Sequence, residues 1–334
     1  MRYAVPVPRI LALALLFLCL TVAGTSAAEQ KAFPHLSRVV DRSRPAMVLV
    51  RAVRTGPNGK EHPLARNTGF FTSEDGEVVT SLYVWVPEGE LVVIASDGRR
   101  SRARIVGVDQ HTGLALLQTK FEGVPHLRPA PSQVRPGGWV VTAVARSGAG
   151  EGSIHVMYNP GKLSATKKER RICGVKWNDL LAIDVPVLNG GAGAPVLDQH
   201  GRVSAVILAA ELDKEGKRRA LALGPRHFRE CLEAMRKGGR RTGWLGVVLT
   251  CRDDNKPGAR VQAVLPGSPA DAAGLRRGDM LVSVDDEKIT CAAVLERSVV
   301  RRQPGTTVQL SVRREGETKN MRTKLQARPL HIPE

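Results

Sequence analysis

The sequence predicts an all-β unit over residues 29–236, followed by a small α+β module over residues 243–329. Aromatic side chains make up only 4% of the 334 residues, whereas glycine (33) and proline (21) are plentiful. This composition favours short strands joined by many turns. The length exceeds that of one typical domain of about 150 residues. The first unit therefore has the pattern of a β-sandwich or β-barrel protein.

Short runs rich in Val, Leu and Ile predict the strands of the first unit, with turn pairs such as Asp75-Gly76 and Asp97-Gly98 between them. The predicted strands are Met47–Val53, Gly69–Thr72, Glu77–Ser81, Leu91–Ala95, Ala103–Asp109, Leu114–Thr119, Trp139–Ala145, Leu180–Val185, Ala194–Leu197 and Val203–Ala209. A helix is predicted over Pro225–Lys237, because Phe228, Cys231, Leu232 and Met235 repeat at helical spacing.

The second unit begins after a polar, glycine-bearing linker at residues 237–242. Its predicted strands are Leu245–Thr250, Ala259–Val264, Met280–Val284, Thr307–Arg313 and Lys319–Leu325. Two helices are predicted, a short one over Ala270–Ala273 that ends at Gly274 and a longer one over Cys291–Arg302.

Residues 1–28 have the organisation of a secretory signal peptide. Arg2 and Arg9 are basic, Ile10–Leu20 is an apolar run, and Ser26-Ala27-Ala28 provides small residues for cleavage. The alternative is an uncleaved anchor, although the run is shorter than the about 20 residues of a membrane span. We therefore expect an exported protein, periplasmic or extracellular, which is membrane-associated if the signal is not removed.

The charge and the cysteines bear on partners and cofactors. The formal net charge is +18, and a basic run over residues 162–176, predicted as one loop, either attracts an anionic surface or is simply solvated. Export and the lack of an aromatic-interleaved basic motif argue against nucleic acid as a partner.

The cysteines after the signal peptide are Cys173, Cys231, Cys251 and Cys291. They allow three disulfide pairings, but isolated buried thiols are favoured, and no metal or other cofactor is expected because none has zinc-ligand spacing.

Three motifs of the second unit closely resemble a circularly permuted bacterial PDZ domain: Gly243–Val247, Val264–Ala270 and Ala273–Val282. The resemblance implies that backbone amides of the loop Trp244, Leu245, Gly246 and Val247 bind the C-terminal carboxylate of a peptide. The peptide would pair with the strand that follows, and Leu295 and Val299, which share a helix face, would form the groove wall. The alternative is that Leu245, Leu295 and Val299 are only core, or that the groove is closed by its own loop.

An exported β-unit before a permuted PDZ domain resembles the HtrA/Do (DegP-type) family of trypsin-like serine proteases. Its His motif resembles Val78–Trp85, its Asp motif resembles Asp109–Leu117, and its nucleophile motif resembles Leu188–Val196. The resemblance implies a trypsin-like double β-barrel. It also puts Tyr83, Gly113 and Ala192 at the positions of the catalytic His, Asp and Ser.

None of these three residues can perform the expected role. A phenol, with an ordinary pKa of about 10, does not accept the nucleophile's proton at neutral pH. Gly113 has no carboxylate to orient a base, and Ala192 has no nucleophilic atom. The amides of Gly190 and Ala192 would remain as a vestigial oxyanion hole.

The favoured hypothesis is a pseudoprotease that binds C-terminal or extended peptides of other exported proteins as a scaffold, regulator or holdase. The alternative is a serine endopeptidase in protein quality control with a non-standard catalytic set. Ser81 and His111 are the candidates, because in strand geometry Ser81 would face the same side as Tyr83, and His111 the same side as Gly113. A third hypothesis is an adaptor driven by charge. Relatives often trimerise through the segment before the barrel, but residues 30–40 have no clear aromatic patch, so homo-oligomerisation stays open.

Overall fold

We analysed a computed structural model of the chain. It describes residues 36–84, 86, 89–148, 152–167, 170–172, 175–177, 180–185, 190–212, 218–249 and 257–329. The predicted signal peptide, Cys173 and Cys251 lie outside these residues. None of the helices in the described ranges combines the length and the apolar character needed to cross a membrane.

The first barrel is a closed ring of six antiparallel strands, preceded by helix α1 (Leu36–Ser43). Its strands are β1 (Met47–Thr55), β2 (Glu61–Phe71), β3 (Glu77–Ser81), β4 (Glu90–Ala95), β5 (Arg100–Asp109) and β6 (Leu114–Gln118). β1 pairs with β2 and β4, β3 joins β2 to β6, and β5 joins β4 to β6. Val50, Phe71, Val93 and Leu117 fill the interior.

The second barrel is also closed. Its strands are β7 (Trp139–Ser147), β8 (Ile154–Lys167), β11 (Leu180–Asp184), β12 (Pro195–Leu197), β13 (Val203–Leu212) and β14 (Arg218–Leu223). A separate hairpin of β9 (Arg170–Ile172) and β10 (Val175–Trp177) lies between β8 and β11. The prediction of one loop over residues 162–176 is therefore wrong, because most of this basic run belongs to paired strands.

A shared apolar core joins the two barrels, and helix α2 (Pro225–Arg236) completes it. Phe228 is fully buried, and its ring centroid lies 6.0 Å from that of Phe70 in the first barrel. Val141 and Leu223 contribute from the second barrel. Pro225 occupies the first turn of α2, where the missing amide hydrogen of proline has no helical partner to lose. The helix was predicted to within one residue.

The second unit is a small sheet with two helices. The strands are β16 (Gly243–Trp244), β17 (Val247–Leu249), β18 (Ala259–Val264), β19 (Met280–Val284), β20 (Glu287–Lys288), β21 (Thr307–Arg314), β22 (Glu317–Lys324) and β23 (Gln326–Ala327). Helix α3 (Pro269–Ala272) begins at Ser268, whose hydroxyl accepts the Asp271 amide, and α4 (Ala292–Val300) packs on the sheet. β17, β18, β19, β21 and β22 form the sheet in that order, while β16 pairs with β23.

The segment predicted as a linker is packed against the first barrel. Gly239–Arg240 forms a short strand, β15, parallel to the end of β5. The fully buried Asp109 carboxylate accepts hydrogen bonds from the His111 amide at 3.0 Å and from Nε of Arg240 at 2.8 Å. Next to it, the Gln110 side chain accepts the Thr242 amide and donates to the Arg328 carbonyl of the second unit. These contacts tie the second unit to the β5–β6 turn.

We expect Arg240→Met to lower the free energy of unfolding by about 3 kcal/mol, the lower end for a buried ion pair since Arg240 is partly exposed, because it leaves the buried Asp109 carboxylate without its counter-ion. Arg226→Met is the matched control, since the Arg226–Glu230 pair is exposed and should contribute less than about 0.5 kcal/mol. Urea unfolding followed by circular dichroism measures both. Equal losses in the two variants would contradict a structural role for the Asp109–Arg240 pair.

Candidate functional site

The first two predicted triad positions lie side by side at one end of the first barrel. Tyr83 is in a 3₁₀ turn (Leu82–Val84) that directly follows β3, and Gly113 is in the turn between β5 and β6. The Leu82 amide donates to the Gly113 carbonyl at 2.8 Å, so the two turns are held together. The Tyr83 side chain is 71% exposed.

The loop that carries the third position reaches the same place. A Cβ atom on Gly193 would lie 2.5 Å from the Ser81 amide nitrogen and 2.8 Å from the Thr80 carbonyl carbon. Gly193 also has φ +82°, a backbone conformation that is strained for any residue with a Cβ atom. The backbone beside Ala192 is therefore pressed against the end of β3, two residues before Tyr83. Leu188 and Asn189 lie outside the described residues.

A second contact holds this loop. The Gly190 carbonyl accepts hydrogen bonds from the Thr68 amide at 3.1 Å and the Thr68 hydroxyl at 2.9 Å. Within the described ranges, the amides of Gly190 and Ala192 donate to no backbone acceptor. The loop thus retains two backbone donors, while the Ala192 side chain offers only a methyl group.

The proposed pairing of Ser81 with His111 finds no support in the geometry. Ser81 is buried, and its Oγ accepts the Tyr83 amide at 3.3 Å. Strand alternation does not apply here, because Tyr83 and Gly113 lie in turns, and Ser81 and Tyr83 differ sharply in exposure. Among the described residues, no hydrogen bond joins Ser81 to His111. Burial lowers the pKa of His111, although the Asp109 carboxylate partly offsets this effect.

The two described cysteines are both free, and they differ in environment. Cys231 is buried beside Asp109, and burial raises the pKa of its thiol far above the usual range, so it stays protonated. Its sulfur lies 3.6 Å from the Thr112 hydroxyl. Cys291 is exposed just before α4, which corrects the expectation that all four thiols are buried. In the described part of the chain, no three His, Cys, Asp or Glu side chains form a cluster that could hold a metal ion.

An open groove of about 130 Å³ lies between the β16–β17 segment and helix α4 of the second unit. All six residues predicted for the PDZ site line it, namely Trp244, Leu245, Gly246, Val247, Leu295 and Val299. Leu245, Leu295 and Val299 are also buried in the core of this unit, so the groove continues into that core. Leu249, which belongs to the strand predicted to pair with the peptide, also lines the groove. Gly243, Glu296, Val300 and Arg328, which were not predicted for the site, complete the lining. Arg328 arrives through the pairing of β23 with β16, a contact that no local motif indicates.

Two backbone amides of the Trp244–Val247 loop point away from the body of the protein. The Leu245 carbonyl accepts the Ala270 amide, and the Gly246 carbonyl accepts the Leu265 amide, both at 2.9 Å. In a trans peptide the carbonyl and the following amide hydrogen point in opposite directions. The amide hydrogens of Gly246 and Val247 therefore point away from these partners. Successive backbone amides of this kind attract an anion such as a carboxylate.

Comparisons with known proteins agree with both units. The family described as "Trypsin-like peptidase domain" matches residues 67–206, and the family described as "PDZ domain" matches residues 243–325. A "Probable periplasmic serine endoprotease DegP-like" of Chlamydia trachomatis is 31% identical over 271 residues, which are 78% of this chain and 53% of that protein. One with the same description from Bartonella henselae is 31% identical over 282 residues, 80% of this chain and 54% of that protein. The chain thus spans about half the length of these curated relatives.

Solved structures show the same fold. One described as "HtrA-type protease AlgWS227A with decapeptide" has a TM-score of 0.57 at 22% identity, covering 88% of this chain and 97% of that chain. The serine endoprotease from Yersinia pestis has a TM-score of 0.56 at 22% identity, covering 87% and 97%. The predicted double barrel followed by a PDZ domain is confirmed.

We expect Gly193→Ala to destabilise the chain by about 2 kcal/mol more than Gly190→Ala. Both glycines have φ near +80°, but a Cβ on Gly190 would meet nothing closer than 3.8 Å, whereas one on Gly193 meets backbone. The left-handed conformation costs both variants about the same, so the difference between them measures the steric clash of the new Cβ atom with the Ser81 backbone. Thermal unfolding of the two variants measures it, and equal losses would contradict the packing of this loop on β3.

Proposed function

The chain belongs to the HtrA family of trypsin-like proteins that carry a PDZ domain, and from this premise we propose that it is a catalytically inactive member. The single observation that carries the proposal is the meeting of Tyr83, Gly113 and the Ala192 loop at one end of the first barrel. The backbone of this region is well packed, yet its side chains include no general base, no orienting carboxylate and no nucleophile at these positions.

The magnitude of the loss supports this proposal. In a serine protease of known kinetics, loss of the nucleophile alone lowers kcat by about 10⁶. What remains, about 10³–10⁴ over water, comes from the oxyanion hole and substrate binding. The amides of Gly190 and Ala192 could supply only that remainder, so proteolysis is not the activity that this chain is built to perform.

Peptide binding is the function that the remaining features favour. The groove of the second unit combines amides of Gly246 and Val247 that point outward with the apolar walls of Leu295 and Val299. The exposed strand β17 could pair with an added peptide strand, as in β-augmentation. We therefore propose that the protein captures C-terminal or extended segments of other proteins, as a scaffold, regulator or holdase.

The site of action that we propose is outside the cytoplasm. Relatives are named as periplasmic endoproteases, and residues 1–28 have the pattern of a signal peptide. The partners would then be exported proteins. A homo-oligomer and an anionic surface facing residues 162–176 stay open as further partners.

We expect a fluorescent peptide with an apolar C-terminal residue and a free carboxylate to bind the full chain. Amidation of that carboxylate should weaken binding by about 1.5–3 kcal/mol, because charge-assisted hydrogen bonds to the loop are lost. Fluorescence anisotropy measures both affinities. Equal affinity for the two peptides would contradict carboxylate recognition.

A pair of charge variants sharpens this test. Arg328 lines the groove, whereas Arg322 is exposed on β22 away from it, and each substitution to Gln removes one positive charge. Arg328→Gln should weaken binding of the free-carboxylate peptide more than Arg322→Gln does, and should leave the amidated peptide unaffected. An equal loss of affinity in both variants would indicate that the net charge of the protein, and not a contact in the groove, determines binding.

We expect no casein hydrolysis by the wild-type chain, and none by Tyr83→His, Gly113→Asp or Ala192→Ser alone, because triad residues act as a unit. Only the triple variant could regain turnover. Its stability would be lowered, because Gly113 has φ +72° and an Asp residue in this left-handed conformation is strained by about 1 kcal/mol. Cleavage by wild type that is abolished by Ser81→Ala or His111→Ala would overturn the proposal in favour of a non-standard catalytic set.

A further inference from the structure

Two arginines lie opposite each other on neighbouring strands of the first barrel. Arg51 of β1 is the direct cross-strand partner of Arg66 of β2. Like charges in this arrangement are unfavourable. Arg51 is half-buried, so water screens its charge only in part. Arg66 is exposed, so the pair can be reached by a partner from the solvent side.

Both guanidinium groups converge on a single hydroxyl. Nη2 of Arg51 donates to Oγ of Ser147 at 2.9 Å, and Nη1 of Arg66 lies 3.5 Å from the same oxygen. Two donors occupy the two lone pairs of this hydroxyl, so its own hydrogen is left to donate. In the described residues it has no acceptor. The Ser147 oxygen is thus the shared acceptor of both arginines, while the Ser147 hydroxyl hydrogen and the other N–H groups of the two guanidinium groups have no acceptor among the described residues.

The described residues place no carboxylate in contact with Arg51 or Arg66. Other arginines of the same barrel do have one, namely Arg99 with Asp97, Arg100 with Glu61, and Arg102 with Glu90. Each of these three arginines is therefore compensated by a neighbouring carboxylate. In the Arg51–Arg66–Ser147 cluster, by contrast, two guanidinium groups share one hydroxyl.

The cluster lies at the seam between the barrels, beside the loop of Ala192. Ser147 ends β7 of the second barrel, whereas both arginines belong to the first. Arg66 shares a strand face with Thr68, which binds the Gly190 carbonyl. A Cβ on Gly190 would lie 3.9 Å from the Arg66 carbonyl oxygen. A peptide that contacts this loop from the seam would therefore lie next to the strand that carries Arg66.

We propose that Arg51, Arg66 and Ser147 form an oxyanion-binding site that takes an acidic side chain of an extended peptide segment. Guanidinium forks match the two oxygens of a carboxylate, and the Ser147 hydroxyl adds a third donor. The occupant removes the repulsion between the arginines. This site is separate from the groove of the second unit, and it adds a preference for acidic segments to the proposed peptide binding.

The test uses the full chain and a fluorescent peptide that carries two Glu residues in a neutral sequence and an amidated C-terminus. The same peptide with Gln in place of Glu is the reference. We expect Arg51→Gln and Arg66→Gln each to weaken binding of the Glu peptide about tenfold, the scale of charge-assisted hydrogen bonds. Arg66→Lys keeps the charge but not the fork and should lose part of the affinity. Arg104→Gln removes an exposed charge elsewhere on the barrel and should change affinity less than about twofold.

A second measurement distinguishes the sources of the oxyanion. Sulfate, titrated at constant ionic strength, should raise the melting temperature of wild type but not of Arg66→Gln. This shift together with a preference for the Glu peptide supports the acidic-segment site. The same shift without that preference would assign the site to a free oxyanion and overturn the peptide proposal. Equal binding of Glu and Gln peptides with no sulfate shift, or equal losses in Arg66→Gln and Arg104→Gln, would overturn the site altogether. Because the peptide is amidated, these results do not depend on the groove of the second unit.

Discussion

The buried carboxylate of Asp109 is the constraint on which the placement of both candidate sites depends. A carboxylate removed from water is stable only when hydrogen bonds and an opposite charge replace its hydration. Here the amide of His111 shapes the β5–β6 turn, and Arg240 draws the connecting segment onto the barrel. The same turn presents the Gly113 carbonyl to Leu82 and the Gln110 side chain to Arg328. One buried carboxylate therefore organises a turn of the first barrel and the segment that connects it to the second unit.

Hydrogen bonds of the backbone fix the two loops of the candidate sites. The loops at Gly190 and Gly246 are each held by carbonyls that accept hydrogen bonds from the body of the protein. Such a geometry does not depend on the side chain at Tyr83 or Ala192, so substitutions there leave the loops in place. Chemistry at positions 83, 113 and 192 depends on single side chains, whereas the direction of a backbone amide depends on the fold.

The sequence predicted most accurately those strands that are determined by a local pattern of residues. β3, β18 and β19 have the predicted ends because each is an apolar run bounded by turn residues. β8 was missed because its 14 residues contain Asn159, Pro160 and Gly161 and end in a basic run, which together indicate a loop. The predicted triad positions and the predicted PDZ loop lie in continuous motifs, so the sequence alone is enough to propose them. The Asp109–Arg240 pair and the Arg51–Arg66–Ser147 cluster join distant segments, and only the closure of the two barrels brings them together.

The left-handed conformation of Gly113 affects what a substitution in this turn would do. A residue with a Cβ atom at this position would either adopt the same left-handed backbone, at a cost of about 1–2 kcal/mol, or bend the turn. The Gly113 carbonyl accepts the Leu82 amide, so a bent turn would also shift the 3₁₀ segment that carries Tyr83. A substitution at position 113 therefore changes the geometry of two turns as well as the chemistry of one position.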